Sequence, residues 1–89
     1  MEEKLRVIRL LTNRDVLNCL RKISKTESRF TDLADVCPSE RLRSLRLAEL
    51  EKAGLIKKNP LLEGNKVKVF YQLTKEGKGI LQGIERLLQ

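Results

Sequence analysis

The chain has 89 residues, enough for one domain with a modest core and too few for two. Hydrophobic residues make up 40% but aromatics only 3%. The core must therefore be built from Leu, Ile and Val, and Phe30, Phe70 and Tyr71 are too few to stack successive bases of a single strand. Formal net charge is +7, from 19 basic and 12 acidic residues, which selects a polyanionic partner, nucleic acid being the commonest.

No apolar run approaches the roughly 18 to 20 residues that span a bilayer. The acidic start Met1-Glu2-Glu3 is unlike a signal peptide, so a cytoplasmic protein with no membrane contact is expected. Histidine is absent, and Cys19 and Cys37 alone cannot complete a four-ligand zinc site, so no metal and no cofactor are expected. The two cysteines read as small buried hydrophobes; the other reading is a disulfide, which in a cytosolic chain means redox sensing or a hyperthermophilic source. Without histidine, a glycine-rich phosphate loop or clustered carboxylates, the usual catalytic arrangements are missing and no enzyme is expected.

From Glu2 to Leu11 the apolar positions Leu5, Val7, Ile8, Leu10 and Leu11 fit neither a period of 3.6 nor a period of 2 cleanly. A helix is expected there, as an N-terminal extension over residues 1–11. Thr12 stands three residues ahead of Asp15 before an apolar run, which resembles a capping box with Asp in place of Glu. The first core helix follows, over 13–24. Val16, Cys19, Leu20 and Ile23 recur at i, i+3, i+4 and i+7 and give it one buried stripe. After a polar turn, Phe30, Leu33, Ala34 and Val36 predict a short helix over 31–36, capped by Thr31 or Ser28 and with Asp32 in its first turn. Cys37-Pro38-Ser39 then breaks the periodicity, because a residue before proline avoids the α region.

Ser39 to Gly54 is the most strongly specified stretch. Ser39 supplies a cap, strong helix formers fill 40–53, and Gly54 suits the left-handed position past the end. Arg41, Arg43 and Arg46 crowd the first half with no acid after Glu40, while Glu49 and Glu51 lie in the second. Positive charge gathers at the positive end of the helix dipole, an arrangement that repels itself unless an anion lies there. A short helix, a tight turn and a longer helix make the helix-turn-helix signature.

Beyond Gly54, Leu55 to Asn59 reads as a strand that Pro60 ends or confines to an edge, and Glu63-Gly64-Asn65 is a turn. Lys66 to Leu73 alternates, with Val67, Val69, Tyr71 and Leu73 on one face and Lys66, Lys68, Phe70 and Gln72 on the other. The expected product is a hairpin over 55–73 with a basic tip and outer face. Thr74 caps a last helix over 75–88, with an aliphatic stripe of Ile80, Leu81, Ile84, Leu87 and Leu88. Gly77, Gly79 and Gly83 weaken it by up to about 1 kcal/mol each, so it needs a packing partner.

Three stretches carry a resemblance. Ser-Arg-Phe-Thr-Asp-Leu-Ala at 28–34 resembles the entry to helix 2 of winged helix-turn-helix domains, Leu-Ala-Glu-Leu-Glu-Lys-Ala-Gly-Leu-Ile at 47–56 resembles the exit of their recognition helix, and Val-Phe-Tyr-Gln-Leu-Thr-Lys-Glu-Gly-Lys at 69–78 resembles the return strand of the wing. The closest in style are the small HxlR, MarR and ArsR-like transcriptional regulators of bacteria and archaea. The resemblance implies an α+β, mostly helical domain over 1–89, with a three-helix core, a two-stranded β-wing and a C-terminal helix. It also implies a homodimer on double-stranded DNA, each recognition helix in a major groove.

One departure concerns the recognition helix. In such families the positions matching Arg43 and Leu47 are apolar and core-facing, and those matching Leu42 and Leu45 face the groove. Either the helix is rotated so that Leu42 and Leu45 are buried, or its groove face is less polar than usual; rotation is the expectation.

The candidate DNA contacts are Ser39 with its neighbouring amides at a phosphate and Arg41 or Ser44 at base edges, with Arg43 a further candidate on the same helix. Arg29 and Thr31 flank them, and Lys57, Lys58, Lys66 and Lys68 of the wing reach the backbone or minor groove. Against this stand a solvated helix with pairs such as Arg46 and Glu49, and lysines that only protect an edge strand. Leu5, Ile8, Ile80, Leu81, Ile84 and Leu88 are the candidate dimer interface, unless both chain ends fold back on their own domain. No small-molecule ligand is evident. The other functions that fit are a winged helix used as a protein-protein module, with Leu42 and Leu45 as exposed contacts, and a non-specific nucleic-acid or chromatin-coating protein.

Overall fold

The computed structural model describes residues 2–88, with side chains from residue 4 onward; Met1 and Gln89, the ends of the domain expected over 1–89, lie outside the described residues. Helix α1 (Glu2–Leu11) leads into α2 (Arg14–Lys25). The cap of α2 lies one residue beyond the Thr12 that the sequence suggested. Asn13 Oδ1 accepts from the Val16 amide at 3.2 Å, whereas Thr12 closes α1 by donating its hydroxyl to Arg9 O at 2.6 Å. Asn caps a helix at least as well as Thr, and the α1 carbonyls hold the hydroxyl. Along α2, Val16, Cys19, Leu20 and Ile23 are buried, and the helix packs on α1 and on most of the elements that follow.

The second helix of the motif is not α-helical but a 3₁₀ helix, Thr31–Asp35. Neither Thr31 nor Ser28 caps it. Phe30 holds the cap position without a side-chain bond, and Asp32 Oδ2 accepts from the Arg29 amide at 2.9 Å. Five residues make only a few i→i+3 bonds, so outside anchors matter: Lys22 Nζ donates to Asp32 O at 2.5 Å and Asp35 Oδ1 at 2.6 Å. Ser28 is buried as a one-residue strand, accepting from the Tyr71 amide at 2.7 Å and donating its own to Tyr71 O at 3.4 Å.

Helix α3 (Glu40–Lys52) is fixed at both ends. Ser39 Oγ accepts from the Leu42 amide at 3.2 Å. At the other end the Gly54 amide donates to Glu51 O and the Leu55 amide to Leu50 O, each at 3.0 Å. This is the Schellman pattern, with Gly54 at φ 78° in the left-handed region and Leu50 against Leu55 in the core.

Strands β1 (Ile56–Glu63) and β2 (Lys66–Leu73) form an antiparallel hairpin, with Ile56 opposite Leu73 and Glu63 opposite Lys66. Pro60 does not end β1 but pairs with Val69; a strand with one neighbour has an open side where a missing N–H is tolerated. Helix α4 (Lys75–Leu88) starts at Thr74, whose hydroxyl accepts from the Gly77 amide at 3.0 Å and donates to Gly54 O at 2.6 Å. A Cβ at Gly77 would stand 2.0 Å from Leu55 O, so this helix-weakening residue is what lets α4 lie on the start of the wing.

The core joins Val16, Cys19, Leu20 and Ile23 with Leu33, Cys37, Leu47, Leu50, Leu55, Ile56, Tyr71, Leu73 and Leu81. Leu81, expected at a dimer interface, is buried in its own domain and Ile80 packs beside it. The reason is the Gly77 approach, which turns this part of the stripe inward. Leu5, Ile8 and Leu88 remain well exposed and Ile84 half-buried. Among the described residues no helix is long and apolar enough to cross a membrane.

Candidate nucleic-acid interface

The expected rotation of α3 is not found. Arg43 points inward at 6% exposure, with Leu47 and Leu50 behind it, while Leu42 and Leu45 are 39% and 50% exposed. Buried arginines need partners, and Arg43 finds them in backbone rather than in a carboxylate. Its Nε donates to Cys37 O at 2.9 Å, one terminal nitrogen to Pro38 O at 3.0 Å and the other to Phe30 O at 3.3 Å. The guanidinium also lies over the Phe30 ring, 4.5 Å from its centroid, within cation–π range. Arg43, a candidate DNA contact from the sequence, is thereby occupied with the turn of the helix-turn-helix.

The outward face of α3 consists of Arg41, Leu42, Ser44, Leu45 and Ala48. Arg46 lies to one side, donating to Glu49 Oε1 at 2.8 Å, the local pairing weighed against DNA contact. Arg41 and Ser44 are exposed, as are Ser39 at the helix start and Thr31 on the 3₁₀ helix. Arg29 is half-buried, its Nε 3.6 Å from Asp32 Oδ2.

The hairpin register divides the wing residues between two faces. Lys57, Lys66 and Lys68 share one face with Gln72, Phe70, Leu61 and Glu63, whereas Lys58 sits opposite Tyr71 on the other. Lys68 Nζ lies 2.5 Å from Glu63 Oε2, and this hydrogen bond holds the Glu63 carboxyl below the usual carboxylate range. Lys58 Nζ is 3.8 Å from Glu51 Oε1. The tip is more apolar than its lysines suggested: Leu61, Leu62, Val67 and Val69 are all exposed. The signal was available in the register, since Leu62 and Val67 are cross-strand partners at the far end, beyond the reach of the core. A second feature with no sequence signature is a cleft of about 610 Å³ between α1 and α3, lined by Arg6, Val7, Leu10, Arg46, Glu49 and Lys52.

Cys19 and Cys37 are free thiols and fully buried. Burial pushes Cys19 up to about 12, helped by Cys37 and the Asp15 carboxylate. Cys37 is also raised, by burial and then by Asp15, to whose Oδ2 its Sγ donates at 3.8 Å. Thiols so placed stay protonated and unreactive at neutral pH.

A helix-turn-helix followed by a two-stranded wing and a closing helix defines a winged helix-turn-helix domain of the α+β class. Residues 10–89 match the HxlR-like helix-turn-helix family, and the chain belongs to it. No characterised protein sequence matches the chain, but solved structures do. The reduced form of the transcriptional regulator YodB from B. subtilis is 25% identical, with a TM-score of 0.81 over 92% of this chain and 81% of that one. Reduced HlyU from Vibrio cholerae is 23% identical, with a TM-score of 0.74 over 97% and 88%. The homodimeric winged helix-turn-helix DNA-binding domain of a possible ArsR-family regulator from Mycobacterium bovis is 18% identical, with a TM-score of 0.77 over 98% and 79%. The chain is a DNA-binding transcriptional regulator and not an enzyme.

Proposed function

We propose that the chain binds double-stranded DNA with sequence preference as a homodimer in the cytoplasm, α3 in the major groove and the wing along the backbone or minor groove. The observation that carries this reading is the outward face of α3. From Arg41 to Ala48 it holds no carboxylate, and Arg41 and Ser44 are exposed upon it. The Ser39 end places helix amides and positive dipole toward a phosphate, Arg41 and Ser44 meet base edges, and Thr31 and Arg29 flank the backbone. Lys57, Lys66 and Lys68 supply one basic face of the wing and Lys58 its shoulder.

Dimerisation is supported by Leu5 and Ile8 on α1 and by Ile84, Leu87 and Leu88 at the end of α4, apolar side chains that the domain leaves wholly or partly uncovered. The similar M. bovis domain is homodimeric. Half-sites in such a dimer stand about one helical turn apart, near 10 base pairs centre to centre.

The test is selection of bound duplexes from a random pool, followed by affinity against salt. About six phosphate contacts give a slope of log affinity on log salt near −5. Affinity that stays flat from low to moderate salt rejects the reading.

A further inference from the structure

We infer that Leu42 and Leu45 read the C5-methyl groups of thymine, and so fix where T·A pairs stand in the binding site; this rests on α3 being the helix in the major groove. Single exposed leucines are ordinary on protein surfaces. These two are not single. At i and i+3 they are neighbours on the helix, 39% and 50% exposed, and they share with Arg41 and Ser44 the outward face that from Arg41 to Ala48 carries no acid.

Nor can the leucines withdraw. The Ser39 cap, the Gly54 end and the three carbonyl bonds of Arg43 set the rotation of α3, and turning Leu42 inward would carry Arg43 out. A second copy of the chain is a poor cover for them, since a two-fold contact centred on this patch would bring Arg41 against its own mate. In the major groove each base pair presents hydrogen-bond donors and acceptors and, on thymine alone, a methyl group. An alkyl side chain pressed on a donor or acceptor leaves it dry and unpaired. Against the methyl it loses nothing and removes apolar surface from water.

The experiment uses the full chain and a duplex it selects from a random pool, synthesised once with thymine and once with deoxyuridine at every thymine position. Uracil keeps the hydrogen-bonding edge and lacks only the methyl. Wild type is expected to bind the uracil duplex more weakly by about fourfold for each methyl covered, the factor for burying one such group. The Leu42→Ala/Leu45→Ala variant, whose fold is checked by melting, should bind the two duplexes much more nearly alike. Equal affinity of wild type for both duplexes overturns the inference and leaves DNA binding standing. An equal loss in wild type and variant also overturns it, because the effect then belongs to the shape of the DNA. Failure to select any duplex overturns the reading on which it rests.

Discussion

Replacing Arg43 tests whether this side chain serves the turn or the DNA. In Arg43→Ala the bonds to Cys37 O at 2.9 Å, Pro38 O at 3.0 Å and Phe30 O at 3.3 Å all go, with the contact over the Phe30 ring. A hydrogen bond from a charged donor contributes about 1.5–3 kcal/mol. The bond to Cys37 O is buried, so that carbonyl is left unmet, whereas exposed Pro38 passes its carbonyl to water. Against these losses stands the relief of a buried charge, which recovers several kcal/mol of desolvation. The balance is a loss of about 3 kcal/mol, or roughly 12–24 °C in Tm for a domain of this size. Arg43→Lys, with one compact donor group in place of the fork, should fall between. Thermal and urea unfolding measure the loss, and the salt dependence of duplex binding by Arg43→Ala, at a temperature where it is folded, supplies the second readout. A phosphate contact would make Arg43→Ala about as stable as wild type and its salt slope shallower by about one. That result would refute the assignment of Arg43 to the turn.

The wing and the helix should separate in mutant binding: Lys66→Ala/Lys68→Ala weakens all duplexes alike and flattens the salt slope by about two, while Arg41→Ala/Ser44→Ala relaxes sequence preference. Sequence preference lost with the wing lysines instead would make the wing the reader. The two cysteines predict an alkaline loss of stability. The Cys19 thiol ionises near 9.0 when unfolded and at about 12 when folded, so the folded state holds the proton longer. Stability present below pH 9 is lost as pH rises toward 12, by about 1.4 kcal/mol per pH unit, and urea unfolding of Cys19→Ala between pH 9 and 10.5 should show a slope shallower by that amount. Parallel slopes would mean that the thiol is free to ionise in the fold. Finally, two glycines of α4 should respond with opposite signs. Gly77→Ala meets Leu55 O at 2.0 Å and costs about 1–3 kcal/mol by overpacking. Gly79→Ala meets nothing within 4 Å and gains up to about 1 kcal/mol of helix propensity. Melting temperatures that move together would mean that Gly77 has room.

The parts of the fold legible in the sequence are those where one physical signal dominates. The stripe of Val16, Cys19, Leu20 and Ile23 admits a single buried face, and all four are buried. Gly54 marks the end of α3 because few other residues take its conformation. The parts that misled are those where two signals compete. Thr12 and Asn13 are both good caps, and only the course of α1 decides between them. The 3₁₀ helix stands on Lys22, a tertiary anchor absent from any local pattern. Leu81 belongs to the same stripe as Leu88, but the first lies beside Gly77 and the second beyond the core. In α3 apolar residues occur all around the helix, at Leu42, Leu45, Leu47, Ala48 and Leu50, so periodicity selects no face.

The phase of α3 is therefore set by its polar groups, and the leucines take the phase that remains. Turning the helix to bury Leu42 and Leu45 would have to break the Ser39 bond to the Leu42 amide and the Schellman bonds around Gly54. It would also withdraw the guanidinium from Cys37 O, a carbonyl in a turn where Pro38 has no amide to offer. An apolar residue at 43 would face the same carbonyl with no donor. The buried arginine and the exposed leucines are consequently one feature: the inward position is taken by a side chain that reaches three carbonyls at once, and the apolar surface so displaced lies on the outward face. Because the ends and Arg43 hold the helix in place without them, residues 42 and 45 are free to vary in chemistry while the fold stays as it is, so substitutions there should change the outward face at little cost in stability.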